Sequence, residues 1–166
     1  MRNARLAIYL NDHLAGAADA IVLLERLAAT DGEPGFRGRM RDLRAEIAED
    51  RRVLETLLTR VGGTPTPKHV DGWLAEKLGR LKIGNGPGDT LARFESLEVL
   101  ALGVIGKCGL WRALDALEAP ELSSTDFAVL AERATRQFEQ LEEARLGLAV
   151  AALGCTAEAR AGGAMR

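Results

Sequence analysis

Apolar residues recur at alternating steps of three and four along four long stretches of this chain, the spacing that builds one helical face. The first stretch, from about Asn3 to Ala29, carries Leu6, Leu10, His13, Ala17, Ile21, Leu24 and Ala28 on that face. Turn residues from Thr30 to Gly35 close it. A second stretch from about Phe36 to Val61 carries Met40, Leu43, Ile47, Asp50, Leu54, Leu57 and Val61, and Gly62-Gly63 stops it. The third runs from about Asp89 to Glu118 with Leu91, Phe94, Glu98, Leu102, Ile105 and Leu114 inward. Ala119-Pro120 ends it, and Ser123 or Ser124 is placed to cap the fourth. That last helix spans about Thr125 to Leu153, with Phe127, Leu130, Ala134, Phe138, Leu141, Arg145, Leu148 and Ala152 on its face.

Between the second and third helices, residues 62–89 form a long connection with a short amphipathic helix of its own. Thr66 and Pro67 suit its start, and Val70, Trp73, Leu74, Leu78 and Leu81 form its stripe. Facing residues of two antiparallel helices share a constant sum of residue numbers. Leu10 with Leu54, Ala17 with Ile47 and Ile21 with Leu43 all give 64, while Phe94 with Leu148 and Leu102 with Leu141 give 242 and 243. The expected fold is therefore all-α: a four-helix bundle of two helical hairpins joined by a long crossover. Residues 1–154 form the one domain, and 155–166 a frayed tail.

Each stripe carries one polar intruder: His13, Asp50, Glu98 and Arg145. The same registers place His13 opposite Asp50 and Glu98 opposite Arg145, as two buried polar pairs. A polar group inside a bundle must be paired or it costs free energy, so these four mark the candidate site.

Two helical hairpins and a partly helical crossover resemble the ferritin-like family of four-helix bundles, over roughly residues 3–153. The resemblance implies a di-iron or di-manganese centre built from one Glu on each of two helices and Glu-x-x-His on the other two. This chain offers Glu46-x-x-Glu49, Glu139-x-x-Glu142 and Glu142-x-x-Arg145 instead, with only two histidines, His13 and His69. An Arg guanidinium cannot ligate a metal and would replace its charge. The expected function is thus a non-catalytic binding or interaction bundle whose degenerate metal centre is replaced by the polar pairs. The alternative is an iron- or manganese-dependent oxidoreductase with a carboxylate-rich site of His13, Glu46, Asp50, Glu98 and Glu142, flanked by Asp19, Glu49 and Glu95.

Composition narrows the partners. A formal net charge of -2, with acids interleaved among clusters such as Arg37, Arg39, Arg41 and Arg44, argues against nucleic acid. The apolar runs are shorter than the ~20 residues of a bilayer span, and Arg2 and Arg5 lead into an amphipathic helix rather than a signal. A cytoplasmic protein without membrane attachment is expected. Cys108 and Cys155 fall on separate segments and suggest core filling, not a disulfide. Gly103, Gly106 and Gly109 on the third helix imply close approach of a packing partner such as Trp73, a small ligand or a second subunit. The apolar run Leu146–Gly154 suggests homodimerisation.

Overall fold

The computed structural model describes residues 3–29, 33–66, 89–117 and 119–154, and shows an all-α protein with no strand among them. Four helices, α1 (Ala4–Ala29), α2 (Pro34–Arg60), α3 (Thr90–Asp115) and α4 (Phe127–Leu153), are joined on the α4 side by a 3-10 turn at Pro120–Leu122. The sequence places these boundaries within a few residues. Pro34 starts α2 two residues earlier than expected, because a proline's fixed φ and missing N–H suit the first helical turn. At α4 the cap is Asp126 and not a serine: its carboxylate accepts from the Val129 N–H at 3.1 Å. Asp89 caps α3 in the same way, accepting from Leu91 N at 2.9 Å. The C-terminal ends need left-handed backbone, supplied by Gly62 (φ 77°) after α2 and Gly154 (φ 67°) after α4. The expected crossover helix, with Trp73 and His69, lies outside the described residues, as do Cys155 and the C-terminal tail.

Side-chain contacts fix the helix directions. Glu25 meets Arg44, and Ala7 lies against Gly63, so α1 and α2 are antiparallel. Phe94 sits under Arg145 and Trp111 stacks on Phe127, so α3 and α4 are antiparallel too. Arg93 lies over Phe36 near the starts of α3 and α2, and Lys107 meets Asp50 halfway along, so those two helices run parallel. The chain therefore leaves α2 at one end of the bundle and enters α3 at the other. Leu10, Leu24, Met40, Leu43, Leu54, Leu57, Leu58, Leu97, Leu110, Trp111 and Leu114 fill the centre with almost no exposure.

The α1–α2 register differs from the expected one. Glu25 with Arg44 and Ala7 with Gly63 give sums near 70 in place of 63–64, a slip of about six to seven residues, or ~10 Å at 1.5 Å per residue. The physical reason is the repeat itself. Both helices carry apolar residues at heptad spacing, so displacement by one heptad interlocks the stripes equally well. Past α2, Asn11 ties the returning chain to α1: its side chain donates to Thr64 O and accepts from Thr66 N at 3.1 and 2.8 Å.

By length and apolar composition α1 also meets the requirement for a bilayer span, as core helices and signal sequences do. It carries Asp12, His13 and Asp19 within that length.

Candidate functional site

A buried ion network crosses three helices at mid-bundle. Asp50 on α2 is 1% exposed, Lys107 on α3 is 7% exposed and Gln137 on α4 is fully buried. The Lys107 ammonium donates to Asp50 Oδ2 and to Gln137 Oε1, and Arg133 of α4 donates to Asp50 Oδ1. Both carboxylate oxygens of Asp50 are thereby engaged by cations. The outer ends of the network return to α2: Gln137 donates to Glu46 Oε2 at 2.8 Å, and Arg133 to Glu49 Oε2 at 3.2 Å. Burial pulls the Lys107 ammonium below the usual lysine range, while the Asp50 carboxylate beside it works in the opposite direction. Arg133 adds a further push downward, and Glu46 a counter-pull.

Of the four expected polar residues, only Asp50 is fully buried. Its partners are Lys107 and Arg133, not His13, because the heptad slip carries His13 along α1 away from the Asp50 level. His13 is half-buried and meets the ring of Tyr9 edge-on, with centroids 4.8 Å apart at 83°. Arg145 pairs within its own helix, its Nε and Nη2 donating to Glu142 at 2.7 and 2.8 Å in a bidentate fork. That hydrogen bond holds the Glu142 carboxyl below its ordinary range and raises Arg145, with Glu98 adding a smaller favourable field. The expected Glu98–Arg145 pairing is therefore an electrostatic neighbourhood in which Glu142 is the principal partner.

The five residues of the expected metal set do not converge. Glu46 and Asp50 lie one turn apart in the network, Glu142 is held by Arg145, and His13 lies on α1 against Tyr9. Among the described residues no three His, Cys, Asp or Glu side chains gather closely enough to hold a metal ion.

Lys107 also borders a second feature. A cleft of about 220 Å³ opens between α1 and α3, with Ile47 and Leu54 of α2 among its walls. Leu23, Val99, Leu100 and Val104 also line it, together with Asp12, His13, Asp19 and Lys107. Gly16, Gly103 and Gly106 also line it. Among the described residues, a Cβ built at Gly103, Gly106 or Gly109 meets no atom within 4 Å, and the expected packing partner Trp73 lies outside them. Cys108 is half-buried against the core edge, and its thiol reaches Ala131 O at 3.7 Å.

Comparison of the chain with protein-family models, with curated proteins and with solved structures returned no match.

Burial holds the His13 imidazole below its ordinary pKa of 6.5, with Asp12 opposing. The unfolded chain then takes up the proton before the folded one does. Stability should fall as pH drops through 6.5 and level off below the lowered folded value. Urea midpoints between pH 8 and pH 5 should show this decline, and His13→Phe, which keeps a ring against Tyr9, should flatten it in that window. A parent protein with no decline there would show that His13 titrates as it does in the unfolded chain.

Proposed function

We propose that this chain is a non-catalytic, ferritin-like helical bundle that serves as a binding or interaction protein. The observation that carries the reading is the Lys107 ammonium held between Asp50 and Gln137 in the bundle core. A ferritin-like metal centre places carboxylates and imidazoles there, facing inward from all four helices. Here the residues do not fit a metal. Asp50 is already shared by two cations, neither of which can ligate, and a divalent ion beside Lys107 and Arg133 would meet direct repulsion. The protein's own side chains supply the positive charge that a metal would otherwise bring.

The parallel course of α2 and α3 supports the ferritin-like assignment, since a simple up-down-up-down bundle would oppose them. The interaction half of the reading is supported by Leu146, Val150 and Leu153, which are 60%, 71% and 57% exposed near the end of α4. A second copy of the chain is the partner proposed for that end.

The test is metal content by mass spectrometry on untagged protein, grown with added iron and manganese and purified without chelator. Folded protein with far less than one metal per chain is the expected result. Near-stoichiometric iron or manganese that disappears in Asp50→Asn would overturn the reading in favour of the metal-dependent oxidoreductase.

A further inference from the structure

We infer that the α1–α3 cleft is a binding site for a small neutral apolar molecule, of the size of one aromatic ring with a short alkyl substituent. This rests on the proposed reading of the bundle as a binding protein, and names the ligand class.

The space lies where the two helices face each other through small residues. On α1 the lining runs from Asp12 to Leu23, and on α3 from Val99 to Lys107. At 100° per residue, Gly16 and Ala20 fall near the middle of the α1 lining arc and Gly103 near the middle of the α3 arc. Interlocking side chains normally fill the seam between two packed helices, and these positions carry none or only a methyl. Among the described residues, a Cβ at Gly16 or Gly103 meets nothing within 4 Å. In keeping with a parted seam, α1 touches α3 far less than it touches α2.

Volume and walls set the size and class of the ligand. The cleft holds about 220 Å³, more than the ~150 Å³ of an engineered apolar cavity that takes up benzene. Its walls are mostly apolar, with Leu23, Ile47, Leu54, Val99, Leu100 and Val104 contributed by three helices. An apolar molecule bound there removes apolar surface from water on both partners. A charged molecule would give up its hydration for walls that return little of it. The Lys107 ammonium is turned to Asp50 and Gln137 in the core, and Asp12 already has a partner. Affinity therefore comes from hydrocarbon contact.

The experiment is calorimetric titration of the full chain with ethylbenzene, alongside 2-phenylethylamine and 3-phenylpropionate as charged counterparts of similar shape. Ethylbenzene should bind at sub-millimolar concentration, and each ion should bind more weakly by roughly tenfold or more. Gly103→Leu, which places a side chain in the middle of the α3 arc, should abolish ethylbenzene binding. Gly16→Leu should do the same from α1, with circular dichroism to show that each variant is folded. Absence of ethylbenzene binding to the parent at millimolar concentration would overturn the inference; the chain itself or a second copy filling the cleft would give that result. Equal affinity for a charged counterpart would overturn it too, as would undiminished ethylbenzene affinity in either folded leucine variant. Failure here leaves the metal measurement untouched, and metal-loaded protein that still binds ethylbenzene would overturn only the broader reading.

Discussion

Lys107→Met is expected to destabilise the bundle by about 3–5 kcal/mol, the usual cost of removing one partner from a buried ion pair. For a domain of this size that corresponds to a fall in melting temperature of roughly 6–20 °C. The methionine fits the volume, so the loss is electrostatic. Asp50 keeps Arg133, but its Oδ2 loses the ammonium, and Gln137 Oε1 loses its donor. Both acceptors are then buried and unsatisfied. The companion variant Asp50→Asn leaves Lys107 with a neutral partner in the same place. Measured together, the two single variants and the double variant should show a coupling energy well outside additivity. Additive effects in thermal melts would mean that Lys107 and Asp50 do not act as a pair, and the reading of the core charge would fail with them.

Trp111→Ala should have a comparable effect, about 3–5 kcal/mol, through a different cause. Trp111 is fully buried and stacks on Phe127 with ring centroids 6.2 Å apart, anchoring the end of α3 to the start of α4. Truncation leaves a cavity that two helix ends cannot easily close. Trp111→Phe should cost far less, because among the described residues the indole Nε1 has no hydrogen-bond partner to lose. Denaturant unfolding of the two variants separates these outcomes. Equal, large losses in both would mean that the indole N–H is engaged after all.

The helices were legible because their signals are local. Apolar spacing and the glycines past the ends of α2 and α4 speak within a few residues of where they act, although the cap of α4 is Asp126 where the sequence reading expects a serine. The site was half legible. Asp50 stood out as a polar residue on a clean apolar stripe, and it is the hub of the network. Its partners escape the sequence reading because the α3 stripe taken through Glu98, Leu102 and Ile105 lies one residue off the buried face, and the α4 stripe takes Phe138 in place of Gln137. On α3 the buried face runs Leu97, Leu100, Val104, Lys107, Trp111, Leu114; on α4 it runs Phe127, Leu130, Ala134, Gln137, Leu141. Each is a strict alternation of three and four, and its single polar member is the network residue. Tracing Leu102 and Ile105 instead followed residues that are half exposed to solvent. The pairing of His13 with Asp50 failed for a deeper reason. Heptad patterns fix which faces meet and leave the axial offset to be settled by the packed three-dimensional whole. Arg133 carries no stripe signal, since it reaches Asp50 from the flank of α4.

The order in which contacts can form follows from the same network. The pairings of α1 with α2 and α3 with α4 close short loops, and chains rich in local contacts fold quickly. Asp50 joins residues 57 and 83 positions away, and Glu46 joins one 91 positions away. Such distant contacts reward the chain only after the helix pairs have docked. The network is then expected to be largely absent from the transition state, with its stabilisation falling on the unfolding rate. Lys107→Met is thus expected to shorten how long the folded bundle lasts far more than it slows assembly.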